Sequence, residues 1–127
     1  MSAEVAEPLH DLVGGHLIAV TFFVEYQRIE LDGPGDGEEQ SLEVYARSSL
    51  RHHGHTLMSG EPSYRDALCE QLGAKVQDAR TEAEDIVIEF DTESALMVSL
   101  RQEDATGPEA AYYVRLSKEA VVSRMVW

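Results

Sequence analysis

The chain has 127 residues and little positive charge: 10 Lys+Arg stand against 24 Asp+Glu, a formal net charge of −14 at pH 7. Phosphate recognition draws on Lys and Arg, so this balance excludes the ordinary route to nucleic acid or an anionic membrane surface. Cysteine is nearly absent as well. Cys69 has no partner for an internal disulfide, a usage that suits a reducing compartment. Long apolar runs are also missing: the longest, Leu17 to Val24, is broken by Thr21, whereas a membrane-spanning helix takes about 20 residues. Met1 to Asp11 carries Glu4, Glu7 and Asp11 with no Lys or Arg, unlike the basic start of a secretory signal. These absences together point to a cytoplasmic protein. Lysine itself is confined to Lys75 and Lys118, an arginine bias compatible with a GC-rich bacterial genome. Neither a Walker loop nor a dinucleotide fingerprint occurs, and neither Cys69 nor any serine sits in a nucleophile elbow. No catalytic signature stands out, so the reading leans away from an enzyme without deciding the point, and no cofactor is expected.

Apolar residues make up 43% of the chain, enough for a packed core, and the length suits one domain over 1–127 with 1–8 flexible. A repeat runs through it. Val13-Gly14-Gly15-His16-Leu17 matches Leu72-Gly73-Ala74-Lys75-Val76 at an offset of 59, which also pairs Ile29 with Ile88, Glu30 with Glu89 and Leu31 with Phe90. Closing a gap in the Gly-rich stretch Asp32 to Gln40 then sets Leu42-Glu43-Val44 on Leu96-Met97-Val98. The quasi-repeats span about 12–47 and 71–101, and two such units would each cover the other's apolar face.

Period-2 alternation predicts strands at Leu42-Val44-Ala46, Ile86-Ile88-Phe90, Leu96-Val98-Leu100 and Tyr112-Val114-Leu116, with a last strand over Val121 to Trp127. Leu17 to Val24 is apolar on both faces, which predicts a central strand or one under a helix or a partner chain. One helix is expected near 63–72, with Ser63 as N-cap, Tyr64, Leu68 and Leu72 as its apolar stripe and Gly73 as a left-handed stop. The fold class is therefore α+β: a mostly antiparallel sheet of about seven or eight strands, in a sandwich or a partly open barrel.

Four groups of residues invite a chemical reading. His52, His53 and His55 have the ring chemistry of a zinc, copper or nickel site, or else belong to a solvated loop between the third strand and the helix. Asp32, Asp36, Gly37 and Glu43 fall at positions 1, 5, 6 and 12 of a calcium-loop spacing, but Pro34 takes position 3, where a ligand is needed; a long hairpin loop is the plainer reading. Cys69 beside the helical stripe is either a nucleophile or a small buried hydrophobe. Glu82, Glu84, Asp85, Glu89, Asp91 and Glu93 read as the solvated face of strands, or as an acidic surface that steers a basic partner.

Leu12-Val13-Gly14 before a strand, its echo at Leu72 to Val76 and the turn from Phe90-Asp91 to Leu96 resemble a family of small bacterial proteins of unknown function. Pro108-Glu109-Ala110-Ala111-Tyr112 is similar to the acidic-aromatic segment that follows the second echo in that family, and Trp127 matches its terminal tryptophan. Ser123-Arg124-Met125 lacks the family's Pro-Gly-Gly turn. The resemblance implies a duplicated fold of bacterial origin and no activity.

Two function classes lead. One is a small acidic module that docks a basic protein, most concretely an immunity protein neutralising a toxin nuclease; an acidic mimic of nucleic acid shares its physics. The other is a homodimeric structural or regulatory domain joined through the first or last strand. A metal- or small-molecule-binding protein built on the histidine cluster is a third reading.

Overall fold

The computed structural model describes residues 8–33, 35, 37–117 and 120–127. Alternating apolar residues build ten strands among them, all paired antiparallel with their sheet neighbours, in two open five-stranded sheets. The first sheet runs β1 (Leu17–Phe22), β2 (Gln27–Asp32), β3 (Glu38–Val44), β9 (Ala111–Ser117), β10 (Ala120–Val126). The second runs β5 (His55–Met58), β4 (Ser48–His52), β8 (Ala95–Ser99), β7 (Asp85–Phe90), β6 (Val76–Glu82). Ten strands replace the seven or eight expected, because the short hairpin β4–β5 carries too few apolar residues to stand out as a pair of strands. The expected flexibility of 1–8 lies outside the described residues except at Pro8, which opens a 3-10 turn over Pro8–Leu12. No helix among the described residues is long and apolar enough to cross a membrane.

The offset of 59 recurs in the hydrogen bonding. The His16 amide donates to Asp32 Oδ1 at 2.6 Å, and the Lys75 amide to Asp91 Oδ1 at 3.2 Å. Asp32 N–H returns a bond to the His16 carbonyl, as Asp91 N–H does to that of Lys75. Across the two segments, Gly14 N–H donates to Val76 and Gly73 N–H to Leu17; Leu17 N–H donates to Ala74 and Val76 N–H to Gly15. Each half thus clasps the other through equivalent atoms. Gly14 and Gly73 hold φ of 91° and 90°, a left-handed conformation that glycine adopts without a Cβ penalty. The halves then exchange hairpins: β4–β5 from the first joins β8, while β9–β10 from the second joins β3.

The two sheets share one core. Ile29, Leu31, Leu42 and Val44 meet Ile86, Ile88, Phe90, Leu96 and Val98 in a single buried cluster, closed by Leu50 and Tyr113. Its buried polar groups are paired, as burial requires. Tyr64 Oη donates to Gln27 Oε1 at 3.0 Å and lies 2.8 Å from Ser48 Oγ, which accepts from Gln27 Nε2 at 2.8 Å. Tyr113 Oη donates to Gln40 Oε1 at 2.6 Å.

Two local expectations change. The helix, α1, is Pro62–Cys69, with Glu61 at the N-cap position in place of Ser63. Pro62 accounts for the shift, since its fixed φ and missing N–H suit the first helical position. Tyr64, Ala67 and Leu68 form the buried stripe, and Leu72 is left exposed past the helix end. The second change concerns β1, which is an edge strand and not a central one. A bulge between Leu17 and Ala19 switches which residues point inward: Leu17 is buried before it, Val20 and Phe22 pack on the core after it. Apolar residues at both parities therefore reflect a change of phase, not burial on two sides.

Candidate binding face

The histidines lie at the β4–β5 hairpin. His53 and Gly54 hold φ of 52° and 82°, both left-handed, as a two-residue I′ turn requires. His52 faces His55 across the ladder, and the His53 ring lies 4.1 Å from that of His52. Both nitrogens of His52 are engaged, Nδ1 with Ser94 Oγ at 2.9 Å and Nε2 with Glu70 Oε1 at 3.3 Å. Among the described residues no group of three or more His, Cys, Asp or Glu is arranged to hold a metal. Of the calcium-loop candidates, Asp36 lies outside the described residues; Glu43 points its carboxylate at Arg28 and Tyr45, and Asp32 Oδ1 accepts the His16 amide. Cys69 is exposed at the end of α1.

The six carboxylates of the acidic stretch divide between two ends of the second sheet. Glu82, Glu84 and Asp85 surround the β6–β7 turn, with Glu89 further along β7; Asp91 and Glu93 belong to the β7–β8 turn at the other end of that strand. The first group is partly neutralised within the chain. Arg80 contacts Asp78, Glu82 and Glu89 at 2.5, 2.8 and 3.1 Å, and Arg101 Nε donates to Glu84 at 2.8 Å.

The first sheet gathers a different set of residues. Phe23 and Tyr26 stack at 4.3 Å between ring centroids, Tyr26 and Tyr45 at 4.5 Å, and Tyr112 meets Tyr45 edge-on at 5.5 Å. The row has simple local causes. The β1–β2 turn, closed by Phe23 N–H to the Tyr26 carbonyl, puts the first two rings side by side. Antiparallel pairing of β3 with β9 brings Tyr112 opposite Glu43 and next to Tyr45. Val24, fully exposed, tips the same turn.

Cations and carboxylates complete the face. The Arg28 guanidinium lies 5.2 Å from the Phe23 ring centre and binds Glu43 Oε2 through Nη2 at 2.9 Å. Tyr45 Oη donates to Glu43 Oε1 at 3.1 Å, and burial together with that carboxylate pushes the phenol up to about 12, so it remains a donor. Arg65 sits 5.4 Å from the Phe22 ring centre. Two hollows border the row. One of about 470 Å³ lies between Phe22, Tyr26 and Tyr64; the other, about 590 Å³, is walled by Tyr45, Tyr112 and Pro108 with Glu25, Glu43 and Glu109 on its rim.

The connection 100–110 between β8 and β9 forms the far wall of both hollows, whereas the equivalent connection in the first half is only 45–47. It is tied down at Thr106, whose N–H donates to the Tyr45 carbonyl at 2.7 Å and whose hydroxyl lies 2.9 Å from the same oxygen. Under the repeat, Phe23, Tyr26, Tyr45 and Tyr112 correspond to Glu82, Asp85, Ser99 and Ser49. The second half builds the same hairpins with no aromatic ring at any of these positions.

Sequence reasoning missed it because Tyr26, Tyr45 and Tyr112 are remote in the chain. The one local signal was Phe22-Phe23-Val24-Glu25-Tyr26, an apolar and aromatic run that includes a turn. Comparison of the chain with protein-family models, with curated proteins and with solved structures yields no match.

Proposed function

We propose that the chain is an acidic protein-binding module that docks a basic partner through the outer face of the first sheet, in the manner of an immunity or inhibitor protein in the cytoplasm. One observation carries this reading: an aromatic row with carboxylates at its rim stands on one half of a repeated scaffold whose other half does without it. Tyrosine supplies much interface energy for little lost freedom, and hot spots are rich in it. The surplus of acids adds long-range attraction for a cationic surface. The reading assigns the chain no catalytic step.

The test is affinity capture from the native host, with tagged protein at low salt and again at about 0.5 M salt, where exposed charges are screened within a few ångströms. The expected result is a basic protein, retained at low salt only, lost from the double variant Tyr45→Ser/Tyr112→Ser and kept by Glu82→Gln/Glu84→Gln. A partner kept by the tyrosine variant and lost from the glutamate variant moves the docking surface to the second sheet and sinks this assignment.

A homodimer is the second reading. It rests on the open edges of the first sheet, where Ile18 on β1 is 49% exposed and Val121 and Val126 on β10 are 59% and 45% exposed. Sedimentation as a clean monomer at micromolar concentration would remove it.

A further inference from the structure

We infer that the hollow between Tyr45 and Tyr112 is a receptor for a single arginine side chain of the partner, an inference that rests on the docking reading above. Its volume, about 590 Å³, leaves ample room for one long side chain. Glu25, Glu43 and Glu109 are among its lining residues, and no Lys or Arg is, among the described residues. Glu43 is already paired with Arg28, so the charge a ligand would answer is that of Glu25 and Glu109, and a cation meets it.

The chain itself displays the chemistry. Arg28, at the other end of the same row, places its guanidinium over Phe23 and its Nε and Nη2 on Glu43. One aromatic face and one carboxylate hold that cation. The hollow repeats both elements with Tyr112 and Tyr45 as rings and Glu25 and Glu109 as acids, and among the described residues no Arg or Lys lines it.

Geometry favours arginine over lysine. A guanidinium is planar, so it can lie against a tyrosine ring while its edge pairs with a carboxylate; an ammonium is a compact point charge that holds its water more tightly. Thr106 and Pro108 fix the opposite wall through the bond from Thr106 to Tyr45, so the hollow is formed before anything enters. Its counterpart on the second sheet has Ser49 and Ser99 in place of the rings, and Arg80 and Arg101 already occupy the nearby acids.

The experiment follows backbone amide shifts of labelled, full-length protein titrated with acetyl-Gly-Arg-Gly-amide, its lysine counterpart and its citrulline counterpart. Arginine is expected to shift the amides around Tyr45, Thr106 to Glu109 and Tyr112, and to saturate at about tenfold lower concentration than lysine, with citrulline silent. Tyr112→Ser and Glu109→Gln each weaken the arginine response by about threefold to tenfold, while Tyr112→Phe keeps it. Equal responses to lysine and arginine at those residues overturn the arginine site and leave the docking reading standing. An equal response to citrulline, or shifts centred on Glu82 to Asp85, also overturns the site. Silence toward both cationic peptides overturns the site as well, while the capture experiment with the tyrosine and glutamate variants decides the docking reading separately.

Discussion

The two halves of the chain have the same clasp and the same hairpin order, yet they present opposite surfaces. In the first half and its borrowed hairpin, Phe23, Tyr26, Tyr45 and Tyr112 form a row of rings; the corresponding Glu82, Asp85, Ser99 and Ser49 are polar. What the halves share must satisfy the backbone and the core. What they do not share is free to answer something outside the fold. The difference therefore separates residues that the shared scaffold requires from residues that it does not.

The largest effects should fall on shared positions. Leu42 and Leu96 are equivalent, both with 0% exposure, one in each sheet. Leu42→Ala and Leu96→Ala should each destabilise by about 2–5 kcal/mol, and by similar amounts, in chemical denaturation. A cost confined to one of them would break the equivalence. Next come the clasp glycines: Gly14→Ala and Gly73→Ala should each cost roughly 1–2 kcal/mol, because a Cβ is strained at φ near 90° although nothing lies within 4 Å of it. Gly15→Ala tests the opposite case. Its counterpart is already Ala74, but a Cβ at Gly15 would meet the Asp32 carbonyl oxygen at 2.9 Å, so the copies are not interchangeable there.

Legibility in the sequence followed how far apart the cooperating residues were. Ile86, Ile88 and Phe90 lie within one strand, so alternation alone exposed β7. The clasp was legible as a pattern, Val13-Gly14-Gly15 against Leu72-Gly73-Ala74, because its glycines are short-range signals of positive φ. The β4–β5 hairpin was read as a loop, since Ser48 and His52 carry no strand signature and its I′ turn is His53-Gly54 where Asn-Gly is usual. Phase in β1 was unreadable because a bulge reverses the in–out order and leaves no mark in composition. The candidate face was the hardest case. Tyr45 and Tyr112 meet only after a hairpin from one half crosses to the other's sheet, and nothing local to either residue encodes that exchange.

Erasing the asymmetry is the third prediction. Tyr45→Ser with Tyr112→Ser gives the first sheet the residues of the second. Aromatic pairs add about 0.5–1.5 kcal/mol each beyond the area they bury, so stability should fall by about 1–3 kcal/mol with the fold intact by circular dichroism. Capture of the basic partner should be lost altogether. A variant that unfolds would show that the row is structural.

The smallest effect is a pH dependence carried by buried phenols: Tyr45 and Tyr113 on the first sheet, and Tyr64 on the helix, while no strand of the second sheet contains a tyrosine. Burial and the neighbouring Glu43 raise Tyr45 from 10.0 to about 12, burial raises Tyr113, and burial raises Tyr64 against the opposing pull of its bonds to Ser48 and Gln27. A phenol whose folded value lies above its unfolded value binds its proton more tightly in the native state. Its contribution is complete below pH 10 and is lost as pH climbs through the folded value, so stability should decline between about pH 10 and 12. Phenolate absorbance should then show Tyr45, Tyr64 and Tyr113 ionising above the ordinary phenol range, as the packing around them opens. Glu43→Gln removes the carboxylate that opposes ionisation of Tyr45 and should bring that one phenol down, leaving Tyr64 and Tyr113 where they were. If Tyr45 titrates near the ordinary pH 10, the ring row is too loosely packed to present a preformed face, and the contrast between the two sheets loses its functional meaning.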